Sequence, residues 1–283
     1  MNLKQALSYS RKVLKDNRID EAALEGEVLL RHLLKLNRAQ LFSCLDIELD
    51  AGQIKSLERL LRRRVRGEPL AYITGHREFF GLDFKVNRNV LIPRPETEIL
   101  VEKAIELANT HRIDTIADIG TGCGVVAISL AVRLWNVKIY ATDISSAALE
   151  VAAANCKKHR VSERIKLMNG DMLEPVPGTV DMIVANLPYV RTQDLPGSDS
   201  ASYEPSDALN GGPDGLDKIK QLIMQAGSKL NTGGYILTEI GQGQKIALSD
   251  FVRGIFPEAY INFHNDLAGI KRIMEFRLTK NSP

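Results

Sequence analysis

The sequence predicts a doubly wound, mostly parallel α/β sheet preceded by a small helical bundle. Three observations carry that expectation. From Ile116 onward, short runs rich in β-formers at 116–119, 138–143, 165–168, 180–186 and 234–240 alternate with helical patterns. Strands alternating with helices argue for a parallel sheet. A glycine-rich loop, Asp118 to Gly124, falls between the first run and the next helical pattern. Residues 3 to 68 instead repeat apolar positions at helical spacing, without a strand signal.

Bulk composition narrows the class. A chain of 283 residues favours two domains, or one large domain with an extension. Hydrophobic content of 44% with 25% charged residues suits a soluble globular protein. The net charge of +2 leaves any basic surface local. Cys44, Cys123 and Cys156 lie far apart with no CxxC spacing, which argues against a disulfide framework and a zinc site. A reducing cytoplasm is the expected compartment. Met1 to Gln5 leads into an amphipathic pattern and not an apolar signal core, and no stretch reaches the length of a membrane span. No metal and no membrane are expected.

Taken in order, the chain divides at 1–75, 76–93 and 94–283. Leu3, Ala6, Leu7, Val13 and Leu14 form one stripe. Asp20 is the expected cap of a helix over 21–36, carrying Leu24, Val28, Leu29 and Leu33. Asp50 caps a further helix with Ile54, Leu57, Leu60 and Leu61. That helix bears Lys55, Arg59, Arg62, Arg63, Arg64 and Arg66; lacking interleaved aromatics, the row reads as a solvated face rather than a nucleic-acid patch. Tyr72 to Gly75 and Glu78 to Val86, with a turn signal between them, predict a hairpin linking the domains. Val90 to Glu98 ends in a helix start. Beyond the alternating region, 260–264 and 272–278 predict a terminal hairpin that adds an antiparallel edge.

The run Val180 to Ala185 stops abruptly at Asn186-Leu187-Pro188-Tyr189. Pro188 cannot continue a central strand and holds Leu187 extended. The Asn186 side chain and the Leu187 carbonyl then leave the carboxyl edge of the sheet, where open parallel sheets bind ligands. Two oxygen acceptors beside the Tyr189 ring suit a planar group carrying NH2. In the glycine loop, Gly120, Thr121, Gly122, Cys123 and Gly124 follow Asp118. A dinucleotide fingerprint needs glycine at position 125, which is Val125, and there is no P-loop lysine. A compact loop without a diphosphate grip suits S-adenosylmethionine. Asp143, ending the second strand, is placed for ribose hydroxyls, against the alternative of a helix cap. Asp171 and Met172, after the third strand, are candidates for the adenine amino group and ring face. Cys123 reads as a packing residue, having no base beside it. None of His32, His76, His111, His159 and His264 is assigned to catalysis.

These features together resemble class I S-adenosylmethionine-dependent methyltransferases that alkylate planar nitrogens. From Pro69 onward the chain is similar to the HemK/PrmC family of protein-glutamine methyltransferases. The matching segments are Tyr72 to Gly75 with Phe79-Phe80-Gly81, Val90 to Glu98, Asp118 to Gly124, Tyr203-Glu204-Pro205 with Ala208-Leu209, Gly211 to Leu216, Glu239 to Gln242, and Asp266 to Gly269 with Arg272. One departure stands out: the family usually reads Asn-Pro-Pro-Tyr, and this chain has Leu187 for the first proline.

The resemblance implies a Rossmann-like, mostly parallel seven-stranded domain, S-adenosyl-L-methionine as cofactor, and class 1 peptide chain release factors as partners. Their Gly-Gly-Gln glutamine would be methylated, with the N-terminal bundle recognising the factor. It implies that Asn186, Leu187, Pro188 and Tyr189 hold the amide, that Asn186 also borders the cofactor, and that Phe79, Arg94, Pro95 and Glu96 shape the entrance. A monomer that does not bind nucleic acid is expected. Two other substrates remain open at this point: a nucleic-acid adenine N6 position, because Asn-Leu-Pro-Tyr also resembles RNA adenine dimethyltransferases, and a glutamine of a ribosomal protein. A non-catalytic cofactor-binding module is the third alternative.

Overall fold

The computed structural model describes residues 1–195 and 203–278, which fall into two compact units. Among these residues, the first unit comprises 1–76 and Tyr203, and the second 77–195 and 204–278.

The first unit is helical: α1 (Leu3–Asp16), α2 (Ala22–Leu34), α3 (Arg38–Ser43), α4 (Ala51–Val65) and α5 (Leu70–Thr74). Three of these starts are written in the sequence as reciprocal caps. Asn2 with Gln5, Asn37 with Gln40, and Asp50 with Gln53 each satisfy two backbone donors at a helix N-terminus. Leu14, Leu29, Leu30, Leu41 and Leu57 are fully buried in its core. Asp20 is not a cap, contrary to expectation: Glu21 precedes α2 and makes no side-chain cap bond, and Leu24 points to solvent. Within the arginine row, Arg64 makes a forked pair with Glu25 at 2.5 and 3.1 Å, and Arg63 one with Glu68 at 2.7 and 2.7 Å. Those two guanidinium groups knit the bundle.

The predicted linker hairpin is shorter than its sequence pattern. Tyr72 and Ile73 are buried on α5, which stops where Gly75 turns left-handed at φ 76°. The hairpin proper is β1 (His76–Phe79) with β2 (Leu82–Lys85).

The second unit is built on a seven-stranded sheet. Its elements are α6 (Thr97–Thr110), β3 (Thr115–Ile119), α7 (Val125–Arg133), β4 (Lys138–Asp143), α8 (Ser146–Lys158), β5 (Ile165–Asn169), β6 (Val180–Ala185), α9 (Asp217–Lys229), β7 (Leu230–Glu239), α10 (Lys245–Ile255), β8 (Tyr260–Asn265) and β9 (Lys271–Arg277). The strand order is β5-β4-β3-β6-β7-β9-β8. Pairing is parallel from β5 across to β7, and β9 runs antiparallel to both β7 and β8. The terminal hairpin thus joins the sheet through its second strand and leaves β8 at the edge. Strand order reverses at β3, which has β4 on one side and β6 on the other; the crevice outside the carboxyl ends of the strands is where such a sheet takes a ligand.

At the opposite end of β6, Asp181 ties three strands together. Its Oδ2 accepts from the Asp114 and Thr115 backbone N–H groups and the Thr115 hydroxyl at 2.8–3.0 Å, and its Oδ1 accepts from Asn231 at 2.7 Å. Burial works against its ionisation, but the bonds from Asn231, Thr115 and the backbone outweigh it and depress the pKa below the ordinary 3.8. A depressed carboxyl stabilises the fold above its unfolded pKa and loses that contribution as pH falls through the folded value. Asp181→Ala should cost about 2–3 kcal/mol at neutral pH, with the difference from the parent shrinking in acid; urea denaturation at pH 7 and pH 3 measures both.

Candidate active site

The carboxyl ends of β3, β4, β5 and β6 surround a cleft of about 260 Å³. Its floor is the glycine loop from Asp118 to Cys123; Asp143 to Ser145 and Gly170 to Met172 form one side, and Asn186 to Pro188 the other. Asn89 to Leu91, Pro93 and Arg94, ahead of α6, and Thr97, its first residue, complete the lining.

The loop is held from beneath. Gly120 and Thr121 donate their N–H groups to the Thr142 carbonyl at 3.0 and 2.9 Å, and Gly122 donates to Asp143 Oδ2 at 2.8 Å. Gly124 precedes α7 at φ 85°, and a Cβ there would lie 2.9 Å from Ile128, so only glycine fits. Asp118, 1% exposed, accepts from the Thr121 hydroxyl at 2.6 Å and from the Ala127 N–H at 3.1 Å. Burial raises its pKa to about 6 against those two bonds, and the charge of Asp143 adds to the rise. Asp118 and the Thr121 hydroxyl therefore brace the loop, and what the loop offers a ligand is backbone. Cys123 is buried, its thiol pushed up to about 12 by desolvation, which leaves it no nucleophile.

Asp143 does two things at once. Oδ2 receives Gly122, Oδ1 receives the Ser145 N–H at 2.9 Å, and Ser145 itself caps α8. Each carboxylate oxygen retains a lone pair, so a diol can still be bound from the cleft. Ile144 beside it is 71% exposed. Met172 is buried in the wall at φ 49°, and its carbonyl accepts from Thr142. Asp171 lines the cleft but takes a bond from Gln221 at 2.7 Å, so its reach toward an adenine amino group is shared with α9. This donor set fits an adenosine: a carboxylate for the ribose hydroxyls and exposed Ile144 with Met172 for the ring.

Across the cleft, Leu187 is 4% exposed and its Cδ2 lies 3.1 Å from where a Gly120 Cβ would be. The leucine that replaces the usual proline thus packs on the glycine loop. Among the described residues no donor reaches its carbonyl. Asn186 donates its Nδ2 to Thr97 Oγ1 at 2.9 Å; Thr97 donates to Glu239 Oε2 at 2.7 Å; and Tyr189 OH donates to Glu239 Oε1 at 2.9 Å. Behind this tetrapeptide, Gly211 N–H bonds the Val190 carbonyl, and Gln244 Nε2 bridges the carbonyls of Tyr189 and Gly215 at 3.0 and 3.1 Å.

Three of the residues expected at the entrance are elsewhere. Phe79 is 2% exposed and meets Phe84 edge-on with ring centroids 6.2 Å apart, so it forms the hairpin's own core. Pro95 is exposed in the turn ahead of α6 and Glu96 is the residue preceding that helix; neither lines the cleft. Arg94 does, held by Glu204 at 2.5 Å, while the same carboxylate takes the Ile92 N–H at 2.9 Å. Sequence reasoning missed Ile144, Thr97, Glu239 and Gln244. Glu239 ends a buried strand just as Asp143 does, which is a signal that could have found it.

The strand order, the single antiparallel strand and a glycine-loop cleft at the switch point define a class I S-adenosylmethionine-dependent methyltransferase. Residues 96–198 match the methyltransferase small domain, and residues 5–75 the PrmC N-terminal domain. The ribosomal protein L11 methylase of Lactobacillus delbrueckii subsp. bulgaricus shares the fold alone, with a TM-score of 0.51 and 22% identity, covering 68% of this chain and 84% of that one. Release factor glutamine methyltransferases of Moorella thermoacetica and Coxiella burnetii are 43% and 39% identical, each over 90% of this chain and 91% of theirs. The chain belongs to the release factor glutamine methyltransferase family. Among the described residues, no helix is long and apolar enough to cross a membrane.

Proposed function

We propose that the chain methylates the side-chain amide nitrogen of the glutamine in the Gly-Gly-Gln loop of class 1 peptide chain release factors, giving N5-methylglutamine and S-adenosyl-L-homocysteine. The observation that carries this reading is the pair of acceptors at the end of β6. Asn186 and Leu187 both line the cleft, and Asn186 gives its NH2 inward to Thr97; its Oδ1 and the Leu187 carbonyl are then the acceptors offered to the two N–H bonds of a primary amide. The names of the relatives favour this substrate over a nucleic-acid base.

The cofactor supplies an electrophilic methyl group on a sulfonium. The chain's own residues supply position. An amide nitrogen is a weak nucleophile because its lone pair is delocalised, so alignment and charge stabilisation carry the catalysis. Asn186 and Leu187 draw on the two N–H bonds, favouring pyramidal nitrogen as positive charge develops there. Tyr189, held through Glu239, packs against the amide plane. Once methylated, the nitrogen is acidic and loses one proton to solvent without a dedicated base.

In this reading Gly120, Thr121, Gly122, Cys123 and Gly124 cradle the methionine end, Asp143 holds the ribose, Met172 and Asp171 border the adenine, and the bundle at 1–75 docks the factor. The chain works as a monomer in the cytoplasm. Because the Asp118 carboxyl braces the cradle and has a pKa raised to about 6, it is ionised above that pH and protonated below it. Cofactor affinity should therefore fall as the pH drops through that value, by at most about tenfold per pH unit for one proton. Calorimetric titration from pH 5 to 8 checks this, and Asp118→Asn should flatten the dependence.

The substrate is tested by transfer of labelled methyl to a release factor carrying Gly-Gly-Gln and to one carrying Gly-Gly-Ala. Label in the first alone supports the reading; equal label in both excludes it.

A further inference from the structure

We infer that Thr97 and Glu239 are positioning residues: the buried carboxylate, acting through the threonine hydroxyl, fixes which end of the Asn186 amide faces the substrate. This rests on the glutamine reading above and explains how its acceptor pair is made.

The inference follows from counting donors. Thr97 and Glu239 are each 1% exposed, so their bonding partners are those of the protein. The Thr97 and Tyr189 hydroxyls both point at Glu239, and in its ionised form a carboxylate only accepts. Glu239 Oε2 therefore takes the hydrogen of the Thr97 hydroxyl at 2.7 Å, and Oε1 takes that of Tyr189 at 2.9 Å. With its one hydrogen committed, Thr97 Oγ1 presents only lone pairs to Asn186, 2.9 Å away. Only the Nδ2 end of the asparagine satisfies them. The flipped amide would set oxygen against oxygen in a part-buried position, leaving the Asn186 oxygen and the Thr97 lone pairs without a donor.

The consequence reaches the substrate. With Nδ2 turned inward, Asn186 shows Oδ1 to the cleft, and the Leu187 carbonyl is the second acceptor. Two acceptors receive an NH2 group and repel a carboxylate, so the site takes glutamine and rejects glutamate. The same carboxylate holds Tyr189, which couples the ring to the amide orientation. Burial, with the charge of Glu96 ahead of α6, raises the Glu239 pKa above the ordinary carboxyl value, against the bonds from Thr97 and Tyr189 and the charge of Arg272 on β9; the orientation of Asn186 is set in the ionised form. Nothing in the cofactor cradle takes part: Thr97 lines the cleft from α6, 142 residues from Glu239 in the chain.

Thr97→Val keeps the shape and removes the hydroxyl, whereas Thr97→Ser keeps the hydroxyl. The valine variant should lose about 10²-fold in kcat, the penalty expected for a misaligned reactive group, with cofactor affinity near the parent value. The serine variant should recover most of the rate. In ¹⁵N-labelled protein the Asn186 side-chain amide resonances should move in Thr97→Val and stay in Thr97→Ser. Parental kcat in Thr97→Val, or an unmoved Asn186 amide, overturns the inference. If the valine variant does not fold, Glu239→Gln decides, because its NH2 group meets one of the two hydroxyls and removes the acceptor-only constraint. It should be slow if the relay holds and at parental rate if it does not. Should the parent leave release factor unmethylated, the substrate reading fails by itself, and the Asn186 resonances still decide the relay.

Discussion

Replacing Asn186 with alanine should abolish measurable turnover while the cofactor still binds. The Asn186 Nδ2 is bound to Thr97, and in the proposed reading the Oδ1 of the same side chain receives the substrate amide. Removing it deletes one of two acceptors that grow stronger as the amide nitrogen becomes positive. By analogy with the loss of one charge-stabilising group, kcat should fall about 10²–10³-fold. The cradle is built by other residues, Asp118, Thr142 and Asp143, whose bonds to the loop do not pass through Asn186. Cofactor affinity by calorimetry should therefore stay close to the parent. Asn186→Asp should be as inactive as the alanine variant, since a carboxylate has no NH2 to donate to Thr97. Equal loss of turnover and cofactor binding would contradict the role assigned to this side chain.

The second large effect is expected at a glycine distant in sequence from the site. Gly215 has φ 76°, and a Cβ on it would lie 2.4 Å from the Tyr189 carbonyl and 2.8 Å from Gln244 Nε2. Gly215→Ala therefore carries a left-handed penalty of roughly 1–2 kcal/mol and forces apart the loop that backs Asn186 to Tyr189. Gln244 bridges Tyr189 and Gly215, so the displacement passes directly to the tetrapeptide Asn186 to Tyr189. A shift of about 1 Å in a reacting group costs about 10²-fold in rate. Gly254→Ala is the control, because its Cβ meets nothing within 4 Å and it lies within α10; there alanine should gain about 0.5–1 kcal/mol with kcat unchanged. Melting temperature and kcat measured together separate the two substitutions. Parental kcat in Gly215→Ala would show that the loop does not set the geometry of the tetrapeptide.

Much of the sheet was legible because its strands are buried on both faces. Val180 to Ala185, flanked by β3 and β7, reads as a continuous apolar run broken only by Asp181. The glycine loop was legible from its place between a strand and a helix, and the position of Asp143 beside it from its place at a strand end. What escaped depends on which strand ends become neighbours. Glu239 acquires its meaning only because β6 and β7 pair side by side and the start of α6 meets them, a relation that spacing along the chain does not encode. Phe79 misled for a related reason: an aromatic in a hairpin serves equally as an entrance wall or a core, and its partner Phe84, five residues on, made it core. At Tyr72 to Gly75, the apolar pattern was too short to separate a strand from a helix; Pro69 before it and left-handed Gly75 after it made a helix. Thr121 shows the opposite case. It was expected as a member of the cofactor loop, yet its hydroxyl faces Asp118.

The most direct test is mass spectrometry of release factor, ribosomal large-subunit protein and RNA, incubated together with the chain and isotope-labelled S-adenosylmethionine. One added methyl on the side-chain nitrogen of the Gly-Gly-Gln glutamine, with the other two unlabelled, is the expected result. Label in RNA with the release factor untouched would contradict it, and would mean that the acceptor pair formed by Asn186 and Leu187 receives the amino group of a base.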